Sequence, residues 1–92
     1  MVKIVKKSYP PFSEHVAAGI KKFDVRLAKG MENVRAGDRI EFIETDPATR
    51  APTGRKSEHK ITYVMRTKGL DYWTPAEIAE HGLIVMQLDD AD

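Results

Sequence analysis

Residues 37–66 read GDRIEFIETDPATRAPTGRKSEHKITYVMR, and this stretch decides the fold. Its first two residues are a turn signal, and apolar and charged residues then alternate in DRIEFIE at 38–44. A second alternation appears in HKITYVMRT at 59–67. The segment between them, at 45–57, contains two prolines and one glycine, which predicts a loop. The stretch therefore predicts two strands joined by a long hairpin connection.

Three further segments outside this stretch have the character of strands. VKIV at 2–5 is a β-branched run, and apolar residues recur with period two from Lys22 to Leu27. LIVMQLD at 83–89 is apolar throughout its first half and predicts a final strand buried on both faces. Five short strands are therefore expected.

Two short helices are predicted between the strands. The first covers about 11–18, because proline suits a first helical turn and Gly19 stands where a helix commonly ends. The second lies in WTPAEIAEHG at 73–82. Thr74 is its predicted N-cap, and Glu77 stands three residues later, which is the spacing of a capping box.

Length and composition agree with one small globular domain. The chain has 92 residues, of which 41% are hydrophobic and 32% are charged, so it is neither fibrous nor disordered in composition. We expect a single domain over 1–92 with a frayed tail at 89–92. The predicted class is α+β, with about five strands in a closed or partly closed small β-barrel and two short helices.

The composition also excludes several kinds of site. There are no cysteines, so disulfides, thiolate zinc sites and cysteine nucleophiles are excluded, and a reducing cytoplasm is the expected location. His15, His59 and His81 are too widely separated to form a ligand pair of the usual spacing, and no metal or cofactor is predicted. The longest apolar run, LIVM at 83–86, is far shorter than a membrane span, so no membrane partner is expected.

Charge is unevenly distributed along the chain. Residues 1–39 contain nine Lys or Arg against four Asp or Glu, whereas residues 40–92 contain six against ten. A basic half points to a phosphate-bearing partner, although lysine-rich faces are also common as plain solvated surface.

The stretch GIKKFDVR at 19–26 concentrates this positive charge. If a strand begins at Lys22, Asp24 and Arg26 point to the same face, roughly 7 Å apart. Lys21 precedes the strand, after Gly19, and is free to turn toward that face. The group is either a structural network of ion pairs or a set of donors and acceptors for a base edge or phosphate.

These residues resemble a known family. Gly19-x-Lys21-x-x-Asp24-x-Arg26 is similar to the G-x-K-x-x-E-x-R signature of the ASCH domains, small RNA-associated barrels of the PUA-like superfamily. The resemblance continues through V-x-x-G-D-x-I at 34–40 and through the DPATRAPTGR loop that leads into ITYVMR. It is closest to short ASCH-type proteins of bacteria and their phages. It implies a PUA-like β-barrel with a cleft near the signature that receives RNA or a pyrimidine nucleotide.

The resemblance also implies a possible activity. One ASCH branch removes acyl groups from N4-acylated cytidine with the signature lysine, a threonine at the acidic position and a glutamate further on. Lys21, Asp24 and Glu77 are the corresponding candidates for catalysis. Asp24 departs from the threonine, and a carboxylate near Lys21 would favour its ammonium form over the neutral base. Glu77 has a structural alternative as the capping-box glutamate.

Further residues are candidates for contact with the ligand. Tyr72 and Trp73 could stack on a base, or Trp73 could simply anchor the second helix. Arg55, in the hairpin loop, could contact a phosphate or merely keep the loop soluble, and Lys7 stands at the exit of the first strand. The predicted function is binding of RNA or of a modified pyrimidine nucleotide. The alternatives are the amidohydrolase, a ribonuclease, and a phage-type inhibitor that binds a protein.

Overall fold

The computed structural model describes residues 2–91 and shows one three-stranded sheet and two short helices. Met1 and Asp92, the ends of the predicted domain and tail, lie outside the described residues. The predicted α+β class is confirmed. The elements in chain order are β1 (Lys3–Ser8), α1 (Phe12–Ala17), β2 (Arg39–Thr45), β3 (Pro52–Lys60) and α2 (Pro75–His81).

β2 is the central strand of the sheet. β1 pairs with it in parallel, with Lys3 opposite Arg39, and β3 pairs with it antiparallel, with Lys60 opposite the same arginine. Parallel neighbours require a crossover connection, and α1 lies within that crossover. The helix packs on one face of the sheet and leaves the other face open to solvent.

A small apolar core lies between α1 and the sheet. Val16 of α1 packs with Ile40 and Phe42 of β2, and Ile61 packs against this cluster. Side chains alternate along a strand, so the even-numbered positions of β2 share the face that α1 covers. Glu44 is the next even position, and the sheet therefore places a carboxylate beside the apolar core.

The opposite face of the sheet carries a ladder of charged side chains. Lys3 Nζ lies 3.2 Å from Glu41 Oε2 and 3.0 Å from Glu58 Oε1. Arg39 Nε donates to Glu58 Oε2 at 2.6 Å. Solvent-exposed pairs of this kind contribute at most about 1 kcal/mol each to stability. The ladder accounts for two of the nine cations of the basic N-terminal half, Lys3 and Arg39, as ordinary solvated surface.

The predicted turn before β2 is confirmed, and Asp38 holds it together. Its Oδ1 accepts from the Val2 backbone N–H at 3.0 Å, and its Oδ2 accepts from the Arg35 N–H at 3.1 Å. These two backbone donors, with that of Val2 first, lower the pKa of the Asp38 carboxyl. The Ile61 N–H also donates to the Asp38 carbonyl at 2.8 Å. The turn thereby connects the starts of β1 and β2 to the end of β3.

The hairpin differs from its predicted bounds. β3 begins at Pro52, inside the segment predicted as loop, and the connection is only residues 46–51. Proline is tolerated at the first position of a strand at the edge of a sheet, and glycine is common at strand irregularities. Gly54 has a φ of 95°, beside a register shift of the pairing between Ile43 and Thr45. Reading proline and glycine as loop residues therefore placed the predicted strand, 59–67, too late in the sequence.

Two predicted strands, 22–27 and 83–89, and most of a third, 59–67, are not strands among residues 2–91, so a five-stranded barrel is not shown. The chain at 62–67 continues beyond the first residue of β2, which follows the Gly37–Asp38 turn. At that point β2 no longer lies alongside it to form strand hydrogen bonds. Residues 22–27 and 83–89 likewise pair with no strand within the described residues. The apolar side chains at 83–88 are exposed, whereas the pattern predicted burial. An alternating pattern marks a segment that can pair, but it does not supply the partner.

Both predicted helices are confirmed. α1 covers Phe12–Ala17, within the predicted 11–18. In α2, Thr74 Oγ1 accepts from the Glu77 N–H at 3.1 Å, and Glu77 Oε1 accepts from the Thr74 N–H at 2.9 Å. This is the predicted capping box. Among residues 2–91 no helix is long and apolar enough to cross a bilayer.

Candidate functional site

A cleft of about 340 Å³ lies between α1 and the β2–β3 hairpin. We call it the α1–hairpin cleft. Phe42 and Glu44 line it from β2, because both occupy the face of the sheet toward α1. The other lining residues come from α1 and its end (Ser13, Glu14, Ala17, Ala18) and from β3 (Arg55, Lys56, Ser57).

Glu44 is the most enclosed charged group of this cleft, with only 3% of the residue exposed. Its Oε2 accepts from Ser13 Oγ at 2.8 Å, and its Oε1 accepts from Thr53 Oγ1 at 2.8 Å and from Arg55 Nε at 2.9 Å. The hydrogen bond from Ser13, followed by those from Thr53 and Arg55, lowers the pKa of the Glu44 carboxyl. The carboxylate therefore joins α1, β2 and β3 in its ionised form.

One part of the Arg55 guanidinium is held by a hydrogen bond, and the rest is exposed. The Nε–H is used by Glu44, yet 72% of the side chain is exposed. Its two terminal nitrogens have no hydrogen-bond partner within residues 2–91. A guanidinium held in this way presents donors at a defined place beside the cleft.

The segment 19–26, which we call the signature segment, leaves the end of α1 by a sharp bend. Gly19 has a φ of 76°, a conformation that favours glycine. The N–H groups of Ile20 and Lys21 then donate to the His15 carbonyl at 2.9 and 3.0 Å. This bend directs the Lys21 side chain toward two aromatic rings. Its Nζ lies 4.8 Å from the centroid of Phe23 and 5.7 Å from that of Phe12.

Arg26 connects the signature segment to the sheet. Its Nε donates to Asp24 Oδ2 at 2.5 Å, and its Nη2 donates to the Lys7 carbonyl at 2.8 Å. Its Cζ lies 5.3 Å from the centroid of the Phe42 ring. Phe42 also lines the α1–hairpin cleft, so Arg26 makes a cation–π contact with a residue of that cleft.

The predicted grouping of Lys21, Asp24 and Arg26 is therefore realised only in part. Asp24 is paired with Arg26 as expected, although the strand from which this proximity was predicted is not present. Lys21 was expected to complete the group, but no hydrogen bond or ion pair between Lys21 and Asp24 occurs in the described part of the chain. Cation–π attraction to the two rings accounts for the different position of Lys21. Lys7 takes part through its backbone carbonyl.

The remaining predicted site residues lie around α2. Glu77 is engaged in the capping box, and the backbone N–H of Thr74 lowers the pKa of its carboxyl. Tyr72 and Trp73 contact each other edge to face, with centroids 5.7 Å apart. Trp73 and Glu77 line a second cleft of about 250 Å³ together with α2 and residues 82–84. Within residues 2–91, no hydrogen bond, ion pair or aromatic contact joins these residues to Lys21, Asp24 or Arg26.

Sequence reasoning missed Glu44 and Ser13. The signal for Glu44 was present, because Ile40, Phe42 and Glu44 occupy alternate positions on the buried face of one strand. A carboxylate at such a position requires partners, and the arginine of the following hairpin was an available one. Ser13 carried no comparable signal, because its role depends on how α1 packs on the sheet. The described residues hold no cluster of three His, Asp or Glu side chains suited to a metal ion.

The sequence of the chain was compared with protein-family models, curated proteins and solved structures, and one family model matches it. Neither the curated proteins nor the solved structures include a significant match. One family model, described as "Domain of unknown function (DUF3850)", matches residues 2–85. That match covers nearly the whole chain, and the protein therefore belongs to the DUF3850 family.

Proposed function

We propose that the protein binds RNA or a nucleotide at the signature segment and the adjoining α1–hairpin cleft. The observation that carries this proposal is the position of Arg26. A carboxylate and a backbone carbonyl hold its guanidinium over the Phe42 ring, which lines the cleft. A cation held in place loses little side-chain freedom when a phosphate binds, so more of the attraction contributes to affinity.

Lys21 supports the same function. Its ammonium group lies between two aromatic rings near the end of α1 and is not neutralised by a carboxylate within the described residues. Aromatic faces attract a cation, so this position suits a lysine that contacts an anion more than one that acts as a base. Positive charge beside aromatic rings is a common feature of surfaces that bind single-stranded nucleic acid.

The proposal includes an ASCH-type, PUA-like architecture with a more complete barrel. Such a barrel requires the segments 22–27 and 83–88 to pair beyond the free edge of β1. Two contacts support this path. Arg26 Nη2 donates to the Lys7 carbonyl of β1 at 2.8 Å, and the Lys22 N–H donates to Gln87 Oε1 at 2.5 Å.

RNA titration at two salt concentrations tests the proposal. Labelled single-stranded RNA is titrated with protein, and fluorescence anisotropy is read at about 50 and about 200 mM salt. We expect Lys21→Ala and Arg26→Ala each to weaken binding and to reduce the slope of log affinity against log salt by about one. Lys60→Ala is the matched control, because by strand register it lies opposite Arg39, on the face of the sheet away from α1.

Two outcomes would contradict the proposal. The first is wild-type protein that shows no salt-dependent affinity for RNA or for nucleotides. The second is an equal loss of affinity in Lys60→Ala and in the two signature variants, which would indicate general charge attraction without a site. Circular dichroism of each variant separates loss of binding from loss of fold.

The amidohydrolase alternative is tested in the same preparation. The protein is incubated with N4-acetylcytidine, and the released cytidine is quantified by chromatography beside Lys21→Ala and a blank without protein. We expect no release above the blank, because Lys21 contacts neither Asp24 nor Glu77 within residues 2–91. Release that disappears in Lys21→Ala would replace the binding proposal with a catalytic one.

A further inference from the structure

Arg55 has a geometry that a purely structural role does not require. Its Nε donates to Glu44 Oε1, which is enough to hold the hairpin against the buried carboxylate. The rest of the guanidinium makes no contact that the hairpin needs. The side chain is 72% exposed, and both terminal nitrogens are unpaired within the described residues. These nitrogens carry four N–H donors in one plane, an arrangement that matches two oxygens of a phosphate.

The surroundings of Arg55 also suit an anion. Ser57 is opposite Phe42 in the β2–β3 pairing, so it lies on the cleft face and adds a side-chain hydroxyl, whereas Lys56 is opposite Ile43 and its side chain lies on the other face of the sheet. Glu14 also lines the cleft, but no hydrogen bond or ion pair joins it to Arg55 within the described residues. The Glu44 carboxylate is nearby, but three donors already occupy it. A volume of about 340 Å³ falls within the range of small-ligand sites, about 300–1,000 Å³.

The cleft shares its construction with the signature segment. Arg26 and Arg55 are each held through Nε by a carboxylate, Asp24 and Glu44 respectively. Phe42 connects them, since Arg26 stands over its ring and the ring lines the cleft beside Arg55. Both guanidinium groups are therefore held in the same way, through Nε, near one aromatic ring.

We propose that Arg55 is the phosphate-binding residue of a subsite in the α1–hairpin cleft, and that Glu44 is the residue that positions Arg55. This inference rests on the proposed function and specifies which group of the ligand the cleft recognises. The phosphate belongs either to a free nucleotide or to an RNA backbone. Both sources present the same chemistry to Arg55.

Binding of a simple phosphate probe tests the subsite without assuming a particular nucleotide. Sodium pyrophosphate is titrated into ¹⁵N-labelled protein, and the backbone amides of residues 53–57 and the Arg55 Nε–H signal are followed by NMR. We expect Arg55→Ala to weaken pyrophosphate binding by about tenfold, which corresponds to about 1.4 kcal/mol. Arg55→Lys keeps the charge but loses the paired donors, so we expect an intermediate loss.

Arg50→Ala is the matched control. It removes the same charge from the same hairpin, but Arg50 does not line the cleft. We expect it to leave pyrophosphate affinity within about twofold of wild type, because an exposed distant charge is largely screened. Equal losses in Arg50→Ala and Arg55→Ala would overturn the subsite, as would amide shifts that persist unchanged in Arg55→Ala.

Glu44→Gln tests the positioning role. The amide keeps an acceptor for Arg55 but lacks the charge, so we expect weaker pyrophosphate binding together with a changed Arg55 Nε–H signal. A general structural defect would instead move amide signals throughout the sheet. A folded Glu44→Gln protein with wild-type affinity would overturn the positioning role. If this variant does not fold, Thr53→Val and Thr53→Ser replace it, because Ser keeps the hydroxyl donor to Glu44 and should restore binding that Val loses.

The source of the phosphate is decided by comparing uridine, uridine 5′-monophosphate and a short RNA. Binding of the monophosphate but not of uridine, sensitive to Arg55→Ala, supports a free nucleotide. Binding of RNA alone with the same sensitivity supports a phosphate of the backbone. RNA affinity that depends on Arg26 but not on Arg55 would overturn the subsite and leave the proposed function standing. Pyrophosphate binding at Arg55 without affinity for RNA or nucleotides would support the subsite and overturn the proposed function.

Discussion

Glu44 shows at the scale of one residue how a charge is accommodated inside a small domain. The residue is 3% exposed, and each carboxylate oxygen accepts at least one hydrogen bond from a side chain. Burial of an unpaired carboxylate would be strongly unfavourable, but three donors from α1 and β3 replace the lost water. The cluster is therefore a connection between three elements as well as one wall of the cleft.

The lowered pKa of Glu44 predicts a pH dependence of stability. Because the folded-state pKa lies below the ordinary glutamate value, the contribution of Glu44 to stability is fully present above that ordinary value. It is lost as the pH falls through the lower folded-state pKa. We expect the urea midpoint of wild type to fall on acidification, and that of Glu44→Gln to start lower at pH 7 and to fall less. Glu80→Gln, exposed on α2, is the control. If the urea midpoints of wild type and Glu44→Gln fall equally on acidification, this assignment is contradicted.

Lys21 and Asp24 show the limit of residue spacing as a predictor. Spacing along a strand placed Asp24 and Arg26 on one face, and the two side chains do pair at 2.5 Å. Lys21 stands beyond the Gly19 bend, where no strand periodicity applies, and its neighbours were not predictable from spacing. Its partners, Phe12 and Phe23, come from two different segments that only the packed chain brings together.

At the scale of elements, α2 is a helix stabilised by its own sequence. Thr74 and Glu77 satisfy each other's backbone N–H groups, and none of the residues of α2 is buried. Most helices in globular proteins depend on a packed apolar face, which α2 lacks. Its capping box is therefore the main local source of its stability.

Removing the cap tests this assignment. We expect Thr74→Ala to destabilise α2 by about 0.5–2 kcal/mol. Since α2 buries no side chain, the loss should appear as faster amide hydrogen exchange at Ile78 and Gly82, whose N–H groups donate to Thr74 and Ile78, with little change in the global unfolding midpoint. Glu80→Ala changes the same helix outside the capping box and serves as the control. A large fall in the global midpoint would instead place α2 within the cooperative core.

The β2–β3 hairpin depends on its partner strand more than on its own composition. The residues PTGRKS at 52–57 have low strand propensity, yet they pair with β2 because β2 is long, alternating and central. Position at the sheet edge makes Pro52 acceptable. The early start of β3 carries Thr53 and Arg55 to Glu44, so the cleft exists only because β3 begins closer to the turn than its sequence indicates.

At the scale of the whole molecule, the chain is more extended than its length requires. The radius of gyration is 15.0 Å, compared with about 12 Å for a compact domain of this size. The packed part is α1 with the sheet, whereas the apolar side chains at 83–88 remain exposed, Ile84 at 78%. Exposed apolar residues in such number provide surface for the additional strand pairing that a barrel requires.

Hydrogen exchange tests whether the proposed barrel forms. If the segments 22–27 and 83–88 pair as strands, their amides should exchange slowly, because strand hydrogen bonds open only with the surrounding structure. The amides of β2 are the protected reference, and those of Lys68 and Gly69, in an exposed turn, are the unprotected one because they have no acceptor within the described residues. Exchange at 83–88 as fast as at Lys68 and Gly69 would contradict the five-stranded barrel.

The sequence by itself determined the local features of this protein. Both helices, the Gly37–Asp38 turn and the strand at β2 follow from residue types at short spacing, because caps, turns and alternation are properties of a few neighbouring residues. The α+β class follows from the same patterns. The Asp24–Arg26 pair was also predicted, since only one residue separates its members, although the strand expected to hold them is not present.

The tertiary structure decided which segments have partners. It ended the strand pairing near Ile61, extended β3 back to Pro52 and left residues 83–88 uncovered, because backbone hydrogen bonds need a neighbour that periodicity does not specify. It also assembled the cleft, where Ser13, Glu44 and Arg55 come from three separate elements. Contacts between residues distant in the chain depend on how the elements pack, and the candidate site is built almost entirely from such contacts.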